Sequence, residues 1–260
     1  MKIATWNVNS IKARLPNVLA WAKAAAPDVL LLQEIKTVDD GFPRLEFEDL
    51  GYNVATYGQK TYNGVAILSK RPLDDVQRGL GEKGEDVEAR YIEAFTAGLR
   101  VASVYVPNGQ EVGSAKFAYK LDFLARLMRH AKALLETEEA VVIGGDYNVA
   151  PEDIDAYDPD GWRNQVLCHP DERAGYRRLL NLGYVDAWRA RHPGVQRWSW
   201  WDYRAGAWAK DHGLRIDHLL VSPQAADRLG SVEIDRKPRG EDKASDHTPV
   251  WCEIADANQA

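Results

Sequence analysis

Residues 140–148 read Ala-Val-Val-Ile-Gly-Gly-Asp-Tyr-Asn, and this stretch indicates how the chain is built. The apolar residues are typical of a buried strand, and the two glycines let the backbone turn where that strand ends. The turn presents the carboxylate of Asp146 and the carboxamide of Asn148 two residues apart. Because loops at strand ends often carry reactive groups, Asp146 is predicted to activate a water and Asn148 to donate to a charged oxygen. An ordinary Gly-Asp turn is the alternative.

A second polar group lies near the C-terminal end of the chain. Residues 245–251 read Ser-Asp-His-Thr-Pro-Val-Trp, so a polar pair directly precedes a proline and an apolar run. Histidine suits proton transfer and phosphate contact near neutral pH, which makes His247 a candidate catalytic residue. A loop closed by Ser245 or Asp246 is the alternative.

Asp217 interrupts an apolar stretch that is predicted to be a strand. A buried carboxylate is rarely left unpaired, so Asp217 needs a partner. The structural alternatives are Arg215 and a backbone N–H. The functional alternative is a histidine that Asp217 orients, and His247 is the best candidate.

Two N-terminal strands also end in polar side chains. Residues 2–9 alternate like a strand and end in Asn7 and Asn9, and the apolar run 29–32 leads to Glu34. A glutamate at the end of a buried strand is either solvated or a metal ligand. Carboxylate and carbonyl oxygens suit a hard cation such as Mg²⁺.

Composition favours one α/β domain over residues 1–260. No apolar run approaches the roughly 20 residues that a spanning helix needs. The chain enters a strand at once, so no signal peptide is expected. Its two cysteines, Cys168 and Cys252, form no close-spaced metal motif and are expected to be reduced thiols of a cytoplasmic protein.

The net charge of −6 argues against bulk affinity for nucleic acid, but a local positive surface is predicted at residues 173–204. This segment carries seven arginines against Asp186 and Asp202, with aromatic residues between them. Cations and stacking platforms suit nucleic acid. The alternative is an amphipathic helix followed by aromatic core residues, which is favoured for Trp188 and Trp198 but not for Trp200.

Periodicity predicts an alternation of strands and helices. Helices are predicted at 14–26, 114–136 and 170–182, and an irregular segment at 149–169. After the N-terminal strand, strands are predicted at 29–33, 52–57, 64–69, 91–96, 99–106, 140–144, 197–201, 216–221, 231–235 and 249–254. Hairpins mix with crossovers, which excludes a simple doubly wound fold and fits two sheets packed face to face with helices outside.

Six short motifs carry a resemblance to a known family; they lie at residues 6–9, 32–34, 105–109, 145–148, 214–217 and 245–247. In this order and spacing they resemble the exonuclease III family of abasic-site endonucleases. That family belongs to the endonuclease/exonuclease/phosphatase superfamily, which includes deoxyribonuclease I. Residues 200–204 followed by 213–217 are similar to its bacterial branch. The resemblance implies a four-layered α/β/β/α sandwich.

The resemblance also implies an activity: a monomeric, metal-dependent DNA repair nuclease that cleaves duplex DNA 5′ of abasic sites and acts on 3′ ends as exonuclease and phosphatase. Glu34 would be the main Mg²⁺ ligand, beside Asn7 and Asp246, with Mn²⁺ as a substitute. The implied catalytic residues are Tyr105, Asp146, Asn148, Asp217 and His247. The implied substrate-binding residues are Asn9, Asn108, Trp200, Leu214, Ile216 and Arg204.

An enzyme that acts on an abasic nucleotide must rotate it out of the helix into a pocket that excludes a base. The resemblance places Trp200, Leu214 and Ile216 in that pocket. Leu214 differs from branches that carry an aromatic residue there, which leaves the balance between endonuclease and exonuclease activity open. The alternative functions are a phosphatase of the same superfamily, acting on inositol phosphates or phospholipids, and a non-catalytic DNA-binding module.

Overall fold

Two six-stranded sheets form the centre of the computed structural model, which describes residues 1–81 and 88–256. The strands of the first sheet are β1 (Lys2–Asn7), β2 (Val29–Gln33), β3 (Asn53–Tyr57), β4 (Val65–Ser69), β11 (Leu229–Ile234) and β12 (Val250–Ile254). Those of the second sheet are β5 (Asp74–Arg78), β6 (Tyr91–Thr96), β7 (Leu99–Tyr105), β8 (Val141–Asp146), β9 (Val185–Asp186) and β10 (Asp217–Val221). The strand orders are β11-β12-β1-β2-β4-β3 and β5-β6-β7-β8-β10-β9.

Helices lie outside the two sheets: α1 (Ile11–Ala25), α2 (Arg44–Glu48), α3 (Ala115–Glu136), α4 (Pro159–Trp162), α5 (Pro170–Asn181), α6 (Ala187–Arg191) and α7 (Pro223–Ala226). Each sheet has one parallel pair, β1 with β2 and β7 with β8. Parallel neighbours need a crossover, and α1 and α3 provide it. The two halves therefore share a strand–helix–strand unit. Within the described residues, no helix is long and apolar enough to cross a membrane.

The cores between these layers confirm the predicted α/β/β/α sandwich. Leu31 and Ile67 of one sheet and Val142 and Leu219 of the other belong to the same buried cluster, so the sheets pack face to face. A second cluster lies between α3, α5 and the second sheet, and a third between α1 and the first sheet. The alternation of apolar residues along each strand and helix matches these faces.

The glycines at 144 and 145 have a different role from the predicted one. Strand β8 continues through them to Asp146, so they do not form the turn. A Cβ on Gly144 would lie 2.7 Å from side-chain atoms of both Leu31 and Leu219, and one on Gly145 would collide with the backbone of Val104. The glycines therefore allow close approach of the first sheet and of β7.

Other element predictions also needed correction. Residues 197–201 form no strand; Trp200 makes only single bridges to Leu214 and His247. Helix α1 begins at Ile11 because the Ser10 hydroxyl caps it, rather than at Arg14. The segment 149–169 contains the 3₁₀ turn Asp153–Asp155 and α4. Sequence periodicity missed β5, β9, α2, α6 and α7, each of five residues or fewer.

Candidate active site

The polar strand ends predicted from the sequence meet at one end of the sandwich. Asn7 ends β1 and is in register with Gln33, which directly precedes Glu34. Tyr105 ends β7 in register with Asp146, and Asp217 begins the antiparallel β10 opposite Asp146. Register within each sheet, together with the face-to-face packing of the two sheets, therefore brings these side chains from five strands to one place.

Asn7 links the two sheets at this end. Its amide nitrogen donates to Glu34 Oε1 and to Asp146 Oδ2, each at 2.9 Å. The carboxylate of Asp146 also accepts from the backbone N–H of Asn148 at 2.8 Å and from its side-chain amide at 3.3 Å. Three nitrogen donors thus fix the orientation of the buried Asp146, and the sequence-based prediction that Asn7 or Asn148 orients it is confirmed.

Burial raises the pKa of Asp146 to about 7; the nearby carboxylate of Asp217 adds to this shift and His247 opposes it. An aspartate in this range exchanges a proton near neutral pH, as a general base must. Burial away from water and the nearby carboxylate therefore give Asp146 a pKa that suits a general base at neutral pH.

His247 is held as a cation by Asp217. Its Nδ1 lies 2.9 and 3.1 Å from the two oxygens of Asp217, which also accepts from the hydroxyl of Ser199 at 2.6 Å. Burial alone would lower the pKa of His247, but the carboxylates of Asp217 and Asp146 reverse this and raise it to about 10. The predicted Asp217–His247 pair is confirmed. The alternative partner Arg215 instead binds Asp155 and Asp186.

Glu34, Asp146 and His247 present ligand atoms within 4.8 Å of one another, a spacing that suits a metal ion. The raised pKa of His247 favours the protonated ring, which has no free lone pair, so we expect His247 to act as a donor rather than as a ligand. The remaining carboxylates fit a hard divalent cation. Asn7 and Lys36 contact the two oxygens of Glu34, but Glu34 is partly exposed whereas Asp146 is buried and accepts from three N–H groups, so we expect Glu34 to be the better ligand.

The two further predicted metal ligands, Asn7 and Asp246, make hydrogen bonds within the protein. Asn7 turns its nitrogen, not its oxygen, towards both carboxylates. Asp246 accepts from Asn9 Nδ2 and from Trp200 Nε1, each at 3.0 Å. Lys36, which sequence reasoning missed, connects this group to Glu34: its Nζ lies 2.8 Å from Glu34 Oε2 and 2.6 Å from Asn9 Oδ1. The ligand roles of Asn7 and Asp246 remain predictions.

Tyr105 is half-buried beside the same carboxylates. Burial raises its pKa well above the ordinary value, and the negative charges of Glu34 and Asp146 act in the same direction. The phenol therefore keeps its proton at neutral pH. The guanidinium of Arg90 lies 4.8 Å from the centre of its ring. Arg90 was also missed, because no local motif marks it.

The candidate substrate-binding residues divide into three groups. Asn108 donates to Asn148 Oδ1 at 3.1 Å, and Trp200 lies half-buried with its ring centre 6.4 Å from that of His247. Leu214 and Ile216 are buried behind Trp200, with 0% and 1% of their surface exposed, so they support the ring. Arg204 is exposed and pairs with Asp202 two residues away. All of the described hydrogen bonds that it donates go to Asp202, and its substrate-binding role remains a prediction.

The predicted arginine-rich surface at 173–204 is smaller than its composition indicates. Five of its seven arginines bind acceptors within the protein, namely Asp153, Asp155, Asp202 and backbone carbonyls of β11. Trp188 and Trp198 are core residues, as predicted, and so is Trp201. A groove beside the active site measures about 420 Å³ and includes Tyr62, Arg90, Tyr105, Lys116 and Tyr119. Glu88 also lines it and pairs with Arg90.

Comparisons with known proteins agree with this geometry. Residues 4–247 match the Endonuclease/Exonuclease/phosphatase family. The chain is 37% identical to exodeoxyribonuclease III of Haemophilus influenzae, over 98% of this chain and 100% of that protein.

Two solved structures are also similar, each at 41% identity and covering 98% of this chain and 99% of theirs. They are the 3′ phosphatase NExo from Neisseria bound to a product DNA hairpin (TM-score 0.95) and an AP endonuclease from Archaeoglobus fulgidus (TM-score 0.93). The chain therefore belongs to the endonuclease/exonuclease/phosphatase family, in its exonuclease III and AP endonuclease branch.

Proposed function

We propose that this protein is a divalent-metal-dependent DNA repair nuclease that hydrolyses the phosphodiester 5′ of abasic sites in duplex DNA. It also removes nucleotides and phosphate groups from 3′ ends. The observation that carries the proposal is the convergence of a base, an amide donor, a cationic histidine and a metal-binding carboxylate at one end of the sandwich. Phosphodiester hydrolysis needs each of these groups.

Asp146 takes a proton from the attacking water, which its pKa of about 7 allows at neutral pH. The water oxygen bonds to phosphorus, the bond from phosphorus to the 3′ oxygen breaks, and that oxygen takes up a proton. Tyr105 keeps its phenolic proton beside Glu34 and Asp146, and we assign it the donation of this proton to the leaving oxygen. The products are a 3′ hydroxyl and a 5′ phosphate.

Asn148 and His247 stabilise the charge that develops on the phosphoryl oxygens. One N–H of Asn148 contacts Asp146 at a long 3.3 Å and can turn to the phosphate when substrate binds, and the protonated His247 presents Nε2–H 3.7 Å from the same carboxylate. Preorganised donors of this kind each contribute on the order of 10²–10³ in rate. Glu34 is the residue that we assign to the cation, which when bound neutralises charge on the phosphate. Oxygen ligands favour Mg²⁺, with Mn²⁺ as a substitute.

Similarity to both an AP endonuclease and a 3′ phosphatase supports a dual substrate range. The half-buried face of Trp200 beside His247 offers a wall for a deoxyribose without its base. This sugar pocket is common to an internal abasic nucleotide and a 3′-terminal one. The protein is proposed to act as a monomer on duplex DNA.

The deciding experiment compares four substrates with and without Mg²⁺: a duplex with one tetrahydrofuran abasic analogue, a blunt duplex, a duplex with a 3′ phosphate, and an inositol polyphosphate. We expect Mg²⁺-dependent incision 5′ of the analogue and loss of that activity in Asp146→Asn. Phosphate release from the inositol substrate with intact DNA would favour the phosphatase alternative. DNA binding without hydrolysis would favour the non-catalytic one.

A further inference from the structure

Lys120 is a buried charge outside the set of groups assigned to the reaction. It lies in the second turn of α3 and pairs with Glu172 of α5, and neither side chain has any exposed surface. Removing two charges from water is unfavourable unless further hydrogen bonds satisfy them. The contacts of this lysine therefore indicate what the pair does.

All three protons of the Lys120 ammonium group have acceptors. It donates to the backbone carbonyl of Asn148 at 2.7 Å, to that of Asn108 at 3.1 Å and to Glu172 Oε1. The other oxygen of Glu172 accepts from the backbone N–H of His169 at 3.0 Å, where α5 begins. The ammonium group thus joins the loop after β7, the loop after β8 and the first turn of α5.

These two loops carry the amides of the active site. Asn108 donates to Asn148 Oδ1 at 3.1 Å, and Asn148 Nδ2 in turn donates to Val106 O at 2.9 Å and to Asp146 at 3.3 Å. Asn148 has a φ of 50°, in the left-handed region, which residues other than glycine adopt at some cost in conformational energy. Its conformation depends on these surrounding contacts.

We infer that Lys120 is a positioning residue: it binds both loop carbonyls from behind and so holds the Asn148 amide against Asp146. The inference rests on the proposed hydrolytic function. Burial lowers the pKa of Lys120 and the carboxylate of Glu172 opposes that effect, so Glu172 acts to keep the ammonium charged. Displacing a reacting group by about 1 Å can reduce the rate by about 100-fold.

The test uses the paired variant Lys120→Met/Glu172→Gln. Methionine has nearly the volume of lysine but no donor, and glutamine avoids leaving an unpaired buried carboxylate. We expect kcat to fall by about ten- to a hundredfold with a smaller change in KM, because neither substituted side chain has exposed surface that could contact the substrate. If this variant does not fold, Lys120→Gln/Glu172→Gln, which retains one amide donor, should show a smaller loss of the same kind.

A double-mutant cycle with Asn148→Ala separates positioning from general stability. If Lys120 acts through Asn148, the paired variant should change kcat by less than about threefold in the protein that already carries Asn148→Ala. The control is Arg100→Met, which removes a buried cation at the opposite end of β7. It should lower Tm and leave kcat per folded molecule unchanged.

Two outcomes would overturn the inference: a loss of kcat that is equal with and without the Asn148→Ala substitution, and a paired variant that melts lower but turns over at the wild-type rate. An inactive wild-type protein would contradict the proposed function instead. In an inactive protein the positioning role of Lys120 is tested by the NMR signals of the Asn148 side-chain amide, which do not require activity. These should shift in the paired variant and not in Arg100→Met; unshifted signals would remove Lys120 from this role.

Discussion

The positive charge of His247 depends on the carboxylate that contacts its Nδ1. Asp217→Asn should lower the pKa of His247, so that the ring loses its proton within the neutral range and can no longer donate reliably to phosphate. Loss of a positioned proton donor of this kind costs on the order of 10²–10⁴ in rate. Rate measurements on abasic duplex, with NMR titration of the ring, test both effects.

The double variant Asp217→Asn/His247→Asn completes this test. Residues that act as a unit give strongly non-additive losses, so the double variant should be little slower than the slower single variant. Losses that multiply would show that the two residues work independently.

Trp200 combines a stacking face with a polar anchor. Its half-buried ring lies near His247 and its Nε1 donates to Asp246. Stacking against a nucleotide is worth about 1–3 kcal/mol, so Trp200→Ala should weaken incision by roughly ten- to a hundredfold while Trp200→Phe retains much of the activity. Trp198→Ala is the matched control, since Trp198 is a core residue.

The control should lower Tm without changing the rate per folded molecule. If Trp200→Ala behaves in the same way, Trp200 belongs to the core and not to the sugar pocket.

Strand β10 and the loop before it are fixed by a buried charge network. Arg215 binds Asp155 and Asp186 and donates to Nδ1 of His218, whose Nε2 donates to the carbonyl of Val149. Burial, together with the Arg215 cation, lowers the pKa of His218 to about 4. The folded protein therefore holds this histidine neutral over most of the acid range.

This network predicts a pH-dependent loss of stability. The raised pKa of Asp146 contributes in the opposite direction over this range. Between about pH 6.5 and pH 4, however, the unfolded chain binds a proton at residue 218 and the folded chain does not, so the contribution of His218 to the free energy of unfolding falls as pH falls. The contribution is on the order of 3 kcal/mol and should disappear in His218→Gln, whose amide can make both hydrogen bonds.

Urea unfolding at a series of pH values measures the slope. His212→Gln, at an exposed histidine, is the control and should keep the wild-type slope. A wild-type slope in His218→Gln would show that other groups cause the acid sensitivity.

The elements best predicted from the sequence are those with a long apolar period. The apolar stripe of α3 allows only a helix with one buried face. The continuous apolar runs of β2 and β8 fit strands that are buried on both faces. The strand predicted at 197–201 was wrong, because Trp198 and Trp201 are buried by loop packing, which has no sequence period. In β8 the glycines were assigned to a turn, since their packing against Leu31 and Leu219 depends on the neighbouring strands and the opposite sheet.

For the site, strand-end position predicted where the carboxylates of Glu34, Asp146 and Asp217 lie, because register aligns Asp146 with Asp217 and the packing of the two sheets brings Glu34 to the same end. Their roles in the reaction remain predictions. Arg204 was predicted from its motif, but in the structure its guanidinium is exposed and pairs with the neighbouring Asp202. Lys36 and Arg90 had no signal of their own. Their roles follow from which strands pair, and periodicity does not determine pairing.

At the scale of the whole molecule, a bound divalent cation should stabilise the fold, because it binds carboxylates that only the folded chain assembles. At a hundredfold excess over Kd the gain is about 2.7 kcal/mol, which raises Tm by on the order of 5–10 °C. Thermal melts with Mg²⁺ and with a chelator test this. Glu34→Gln should lose the shift, together with incision.

Glu46→Gln, at an exposed position of α2, is the matched control and should retain the shift. An equal Mg²⁺ effect in Glu34→Gln would place the cation elsewhere.

The position of β1 between β2 and β12 has a consequence for how the protein is made. The ribosome synthesises β1 long before β12. The carbonyl of Asn7 accepts a hydrogen bond from the hydroxyl of Ser245, which lies 238 positions later in the sequence, so this contact forms only after Ser245 has been synthesised. At about 5–20 residues per second this interval is roughly 12–50 s. Asp246 and His247 arrive with Ser245. The proposed role of His247 therefore predicts that a nascent chain has no hydrolytic activity until translation has passed this segment.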